Sequence, residues 1–180
     1  MMIVVTGGSG SGKSAYAEQR IQEFGQMPRY YLATMENRDE ESQKRVDRHR
    51  AMRADKHFRT VECPYDLQNV QLEEPGAVLL ECMSNLVANE LFVKDGMAHM
   101  EQTAGKILNG VSRLKEQCTH LVIVTNEVFS DGLLYDEWTK NYIKCLGIVN
   151  QYLSQMADQV IEVVYTIPVM QKRGTNESDL

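Results

Sequence analysis

The chain has 180 residues, 43% hydrophobic and 24% charged, with a formal net charge of −6, which suits one domain with a substantial core. The acidic balance argues against a general nucleic-acid binder, whose phosphate contacts need a basic surface. No apolar run approaches the roughly 18 residues of a membrane span, no basic-then-apolar leader precedes the first strand, and Cys63, Cys82, Cys118 and Cys145 lack any Cys-x-x-Cys or Cys/His spacing, so a cytoplasmic protein with reduced thiols is expected.

Ile3, Val4, Val5 and Thr6 read as a buried strand that runs directly into Gly7, Gly8, Ser9, Gly10, Ser11, Gly12, Lys13 and Ser14. This stretch fits G-x-x-x-x-G-K-S/T, the phosphate-binding loop. Glycines let the backbone curl so that successive N–H groups face one anion, and the following helix adds the positive end of its dipole. Lys13 is then expected on the β and γ phosphates and the Ser14 hydroxyl on Mg2+. The strand before the motif and the helix after it separate this reading from a flexible glycine-serine turn.

Residues 14–24 have helical propensity, with Ala15, Ala17, Ile21 and Phe24 available to a sheet and Gly25 to stop the helix. Residues 29–34 predict a second strand. In a parallel sheet its end at Thr34 falls on the same edge as the loop, where ligands of open α/β sheets collect. Residues 37–56 are polar almost throughout and predict a solvated helix, on which Arg45, His49 and Arg53 at i, i+4 and i+8 share one face. Cations beside a histidine depress its pKa and favour neutral imidazole, a competent nucleophile, while offering charge to a triphosphate. A plain solvated face explains the same composition.

Residues 58–63 are strand-like, residues 65–75 read as a short helix and turn, and residues 77–81 form an apolar strand that ends in Glu81. That is the pattern of a Walker B strand, whose acid binds Mg2+ directly or through water, although strands of any fold end in acids. A helix over 83–93, a turn at Lys94, Asp95 and Gly96, and a longer helix over 97–118, interrupted near Gly105 or Gly110, come next. Residues 120–126 are another buried strand, bringing Asn126 and Glu127 to the same edge. A loop over 129–134 leads to a helix over 135–157, with Trp138, Ile143, Leu146, Val149 and Leu153 as its apolar stripe. A last strand covers 160–165, and the tail from Gln171 is polar and expected to fray. Strand and helix alternate throughout, the signature of a parallel, helix-covered sheet in one domain over residues 1–180.

The ordered motifs resemble the bifunctional adenosylcobinamide kinase and adenosylcobinamide-phosphate guanylyltransferase family of cobalamin assembly. They are T-G-G-x-x-S-G-K-S (Thr6 to Ser14), Y-x-A-T (Tyr31 to Thr34), R-I/V-x-x-H-R (Arg45, Val46, His49, Arg50) and R-T-x-E-x-P (Arg59, Thr60, Glu62, Pro64). L-L/E-D/E-C (Leu79 to Cys82), T-N-E-V (Thr125 to Val128) and N-Q-x-x-x-x-x-A-D-x-V (Asn150 to Val160) complete the series. The resemblance implies an α/β fold of the P-loop NTPase, RecA-like type, with a mostly parallel central sheet flanked by helices. It implies one nucleotide site for two reactions: ATP or GTP phosphorylates adenosylcobinamide, and GTP then guanylylates a histidine that passes GMP to the cobinamide phosphate. His49 matches the family's histidine by its place before Arg50; His57 is the nearby competitor, and His99 and His120 lack the context.

The same match implies nucleotide contacts from Gly7 to Ser14, from Thr34, from Arg50, Ala51, Met52 and Arg53, and from Glu62 and Glu81, with Mg2+ on Ser14 and Glu81. Lys13 and His49 are the catalytic pair, and a homotrimer is implied. The corrinoid is substrate, so no B12 cofactor is expected. The chain departs from the family pattern where Phe129 to Leu134 replaces a G-x-G-I/V-V-P stretch, and where Thr166, Ile167 and Pro168 replace a late Gly-Ile-Pro. Two rivals stand beside this reading. A plain small-molecule kinase uses the loop and Glu81 but gives His49 no task. A nucleotide-gated binding protein lacks support from any guanine-reading N-K-x-D, which Thr125 to Val128 does not supply.

Overall fold

Short runs rich in Val, Ile and Leu, such as Ile3 to Val5 and Val78 to Leu80, are apolar on both sides and fold as strands covered on both faces. The computed structural model describes residues 1–36, 57–93, 96–128 and 135–174. In chain order its elements are β1 (Met2–Thr6), α1 (Lys13–Glu23), β2 (Arg29–Ala33), β3 (Phe58–Glu62), a 3-10 turn (Leu67–Asn69), β4 (Ala77–Glu81) and α2 (Met83–Leu91). There follow β5 (Phe92–Val93), β6 (Gly96–Met97), α3 (Met100–Gln117), β7 (His120–Val124), α4 (Glu137–Met156), β8 (Gln159–Val164) and β9 (Ile167–Lys172). The expected helix over 37–56, with Arg45, His49, Arg50, Ala51, Met52 and Arg53, lies outside the described residues, as does the loop over 129–134.

Seven strands form one sheet in the order β3-β2-β4-β7-β1-β8-β9. All pairings are parallel except that of β8 with β9. This is the anticipated α/β, P-loop NTPase (RecA-like) architecture, with β7 lying between the loop-bearing β1 and the Glu81-bearing β4. One face carries α1, whose Ala17 and Ile21 pack on Ile3, Val5, Leu79, Val122 and Val124. The other carries α2, α3 and α4, whose Leu86, Val87, Ile107, Val111, Leu114, Leu146, Val149 and Leu153 cover Met2, Val4, Leu80 and Ile123. Among the described residues no helix is long and apolar enough to cross a membrane.

Several local expectations change. The long helix is continuous from Met100 to Gln117, because Gly110 serves a close approach rather than a break: a Cβ there would stand 3.0 Å from the Leu67 Cβ. The predicted helix end at Val93 and helix start at Met97 are instead a small hairpin, β5 with β6. Ala15 is exposed, and Trp138 leaves the apolar stripe of α4 to stack on Phe92, ring centroids 5.9 Å apart. β9, which the sequence pattern does not announce, pairs antiparallel with β8 through a turn at Tyr165 and Thr166, both at positive φ; it takes in Gln171 and Lys172, while residues 175–180 of the tail expected to fray lie outside the described residues. Sequence lacks the Asn-Gly or Asp-Gly that such a tight hairpin normally carries, so the turn has no local signal.

Candidate active site

The loop leaves β1 at the carboxyl edge of the sheet, and its shape follows from contacts that only glycine tolerates. Gly7 is buried at φ 152, and a Cβ on it would stand 2.5 Å from the Val163 carbonyl oxygen. Gly12, at φ 91, precedes α1 and lies against Thr166, whose N–H donates to the Ser11 carbonyl at 2.8 Å. The β8–β9 turn therefore props the loop from behind. In front, no atom of the described residues lies within 4 Å of where a Cβ on Gly8 or Gly10 would be. Among the described residues no side chain caps α1, and no acidic residue occupies its first turn, which leaves its leading N–H groups and positive dipole to an anion.

Lys13 is buried at the start of α1, and its ammonium donates to the Gly8 carbonyl at 2.9 Å. Burial holds its pKa below the usual lysine value, opposed by the nearby Cys82 and Glu81. Glu81, at the end of β4, accepts a hydrogen bond from the Tyr31 hydroxyl at 3.2 Å. The Ser14 hydroxyl and the Glu81 carboxylate are hard oxygen donors of the kind Mg2+ takes alongside phosphate oxygens. Among the described residues no cluster of three or more His, Cys, Asp or Glu could hold a metal by itself. Ser11 Oγ is buried without a partner among the described residues, 2.7 Å from where a Cβ on Gly7 would stand.

One register row crosses the site edge. Glu62 and Glu81 both pair with Ala33, Glu81 with Val124, and Val124 with Val5, just ahead of the loop. At the usual strand spacing Glu62 stands roughly 19 Å from Val5, on exposed β3. Thr34 is fully buried, and its hydroxyl donates to the Cys82 carbonyl and accepts from the Cys82 N–H, both at 2.8 Å. His57 is exposed, and His120 stacks on Phe24 with ring centroids 3.9 Å apart. Among the described residues the structure therefore gathers the loop, Lys13, Ser14 and Glu81, keeps Glu62 toward one end of the edge, and commits the Thr34 hydroxyl to Cys82.

A cleft of about 610 Å³ opens beside the loop, lined by Ser9, Asn126, Glu127, Val128, Tyr135, Thr139, Tyr142 and Ile143. The Glu127 N–H donates to the Gly7 carbonyl at 3.1 Å, which fixes the segment after β7 against the loop. Asn126 Nδ2 donates to Ser84 Oγ at 2.7 Å, and Ser84 Oγ lies 3.0 Å from Cys82 Sγ. Asn150 ties this set to α4, accepting from Thr125 Oγ1 at 2.7 Å and donating to the Asn126 carbonyl at 3.4 Å. Sequence placed Asn126 and Glu127 on the right edge but assigned them no role; Thr139 and Tyr142 had no signal beyond helix propensity, and Thr166 stood out only within the departure at 166–168.

A family model described as "Cobinamide kinase / cobinamide phosphate guanyltransferase" matches residues 3–170. The chain is 34% identical over 181 residues to the bifunctional adenosylcobalamin biosynthesis protein CobU of Salmonella typhimurium, covering 94% of this chain and 98% of that one. The protein of the same description from Escherichia coli K12 gives the same identity and coverage. CobP of Pseudomonas aeruginosa, also described as a bifunctional adenosylcobalamin biosynthesis protein, is 27% identical over 172 residues, covering 94% and 96%. Among solved structures, the flagellar accessory protein FlaH of Methanocaldococcus jannaschii shares the fold at a TM-score of 0.52 and 9% identity, covering 96% of this chain and 78% of that one.

Proposed function

The chain belongs to the cobinamide kinase / cobinamide phosphate guanyltransferase family, and we propose that one nucleotide site at its phosphate loop serves both reactions. In the kinase step the hydroxyl oxygen on the aminopropanol arm of adenosylcobinamide attacks the γ phosphorus of ATP or GTP. The bond from that phosphorus to the β-bridging oxygen breaks, and the nucleoside diphosphate leaves. In the transfer step an imidazole nitrogen of His49 attacks the α phosphorus of GTP and pyrophosphate leaves. A phosphate oxygen of the cobinamide phosphate then displaces the histidine, giving adenosylcobinamide-GDP. Splitting the transfer through a covalent intermediate replaces one difficult step with two easier ones.

The observation that carries the nucleotide site is the preformed cradle: Lys13 already held on Gly8, an uncapped helix start behind it, and Glu81 nearby. The loop N–H groups and Lys13 bind and orient the phosphates. Ser14 and Glu81 would hold Mg2+, which when bound neutralises charge on the transferring phosphoryl group. Support for His49 is its place in Arg45-Val46-x-x-His49-Arg50, with Arg50 and Arg53 supplying charge to the triphosphate. Thr34, Ala51, Met52 and Glu62 complete the nucleotide contacts that the family motifs suggest. The active form is a cytoplasmic homotrimer, and nucleic acid is not a partner.

The test is to incubate the protein with Mg2+ and GTP labelled at the α or the γ phosphate, with and without adenosylcobinamide. Acid-labile, alkali-stable α label on denatured protein, together with γ label on the corrinoid, is the expected result. Phosphoryl transfer without protein-bound α label leaves a plain kinase. Nucleotide binding with no turnover on any cobinamide leaves a binding protein.

A further inference from the structure

The kinase step needs a seat for the acceptor hydroxyl and somewhere for its proton to go, and the chain holds an unassigned cleft at the correct end of the triphosphate. In a phosphate loop the lysine marks the β and γ phosphates. Here Lys13 Nζ rests on the Gly8 carbonyl, so a terminal phosphate bound to it would lie toward the Gly8 and Ser9 end of the loop. Ser9 also lines the cleft of about 610 Å³, which therefore opens onto the phosphorus that the acceptor must reach. A cleft of this size with a mainly apolar wall and a few fixed polar groups is the usual form of a small-molecule site.

Resting on the family reaction above, we infer that this cleft seats the aminopropanol arm of the acceptor and the adjoining edge of its ring, and that Glu127 takes the proton of the acceptor hydroxyl. Tyr135, Tyr142 and the methyl of Thr139 offer apolar surface to a ring edge that carries methyl and amide groups. Asn126 is held by its amide nitrogen on Ser84 Oγ, which leaves its amide oxygen as the acceptor it offers to the arm. Glu127 lines the same cleft, and its main chain is pinned to the loop by the bond to the Gly7 carbonyl. As the substrate oxygen bonds to the γ phosphorus, the O–H bond breaks and its proton passes to the Glu127 carboxylate while the nucleoside diphosphate departs. A carboxylate beside a loop-bound γ phosphate is the arrangement by which kinases orient a hydroxyl nucleophile.

This role separates the two reactions. A hydroxyl has a proton to lose, whereas the cobinamide phosphate is already an anion at neutral pH and needs no base to attack. Glu127→Gln should therefore lower the kinase kcat by about 10²- to 10⁴-fold with little change in nucleotide KM. It should also leave guanylyl transfer to supplied cobinamide phosphate within about threefold of wild type. Retained transfer certifies the fold of the variant. In a second variant, Thr139→Trp fills the cleft from the first turn of a surface helix. It should raise KM for adenosylcobinamide at least about tenfold with nucleotide KM unchanged.

A Glu127→Gln protein with wild-type kinase kcat, or one whose two activities fall together, overturns the proton-acceptor role. An unchanged acceptor KM in Thr139→Trp overturns the seat. Absence of both activities in the wild-type chain instead removes the family reaction and this assignment with it, so the two failures are told apart by the wild-type control.

Discussion

The ammonium of Lys13 is held on the carbonyl oxygen of Gly8 at 2.9 Å, so the cation at the centre of the loop stands in position before any phosphate arrives. Replacing it tests the site with the fewest other changes. Lys13→Met should abolish both activities to below about 1% of wild type, since each reaction needs the phosphates clamped. Thermal stability should hold or rise, because a partly desolvated charge leaves a buried position. Loss of one activity alone would indicate two nucleotide sites; labelled-product assays and a melting curve check both statements.

The depressed pKa of Lys13 predicts a proton linkage. Its folded-state value lies below its unfolded value, so between the two the unfolded chain binds more protons and stability rises with pH across that window, which ends near the ordinary 10.5. Bound phosphates favour the charged ammonium and raise the folded-state value again. Nucleotide binding near the upper part of that range should therefore take up a proton. Calorimetry in two buffers of different ionisation enthalpy, run in that upper part, reads this uptake, and Lys13→Met should lack it.

His49→Ala should abolish guanylyl transfer and protein labelling from α-labelled GTP, leaving kinase activity within about tenfold. The phosphoryl step needs the loop and the metal, not the imidazole. Retained labelling in this variant, lost in His57→Ala, would move the nucleophile to His57.

Thr34→Val should cost about 1 to 3 kcal/mol, because the Cys82 N–H loses its hydroxyl partner in a buried setting. The Cys82 carbonyl keeps the N–H of Leu86 as a donor, so the loss falls mainly on the N–H. Thr34→Ser keeps both bonds and should stay near wild type. Denaturant unfolding of the three proteins measures the difference. A kinase defect in the valine variant at full nucleotide occupancy would report displacement of the adjoining Glu81.

Lys172 closes the C-terminus of α4, donating to the carbonyls of Ser154 and Gln155 at 3.0 Å and of Ala157 at 2.6 Å. Lys172→Met should lower stability by about 1 to 2 kcal/mol, whereas the exposed neighbour Arg173→Met should change it little. Melting curves at matched concentration compare the two.

Much of the fold could be read from residue order because its signals are local. Doubly buried parallel strands are continuous apolar runs, so β1, β2, β4, β7 and β8 stand out, and Gly7 to Ser14 announces its own shape through glycines that only a curled backbone needs. Chain alternation by itself placed Glu81, Asn126 and Glu127 on one edge. What the sequence could not give is who stands beside whom. Thr166 behind Gly12, Leu67 against Gly110, Lys172 under the end of α4 and the paired bonds of Thr34 with Cys82 join residues far apart along the chain. Nothing in either partner's local pattern names the other. A hydrophobic period fixes which face of an element turns inward, but the cleft beside Ser9 exists only because β7 and the start of α4 are brought together by the packing of the whole sheet.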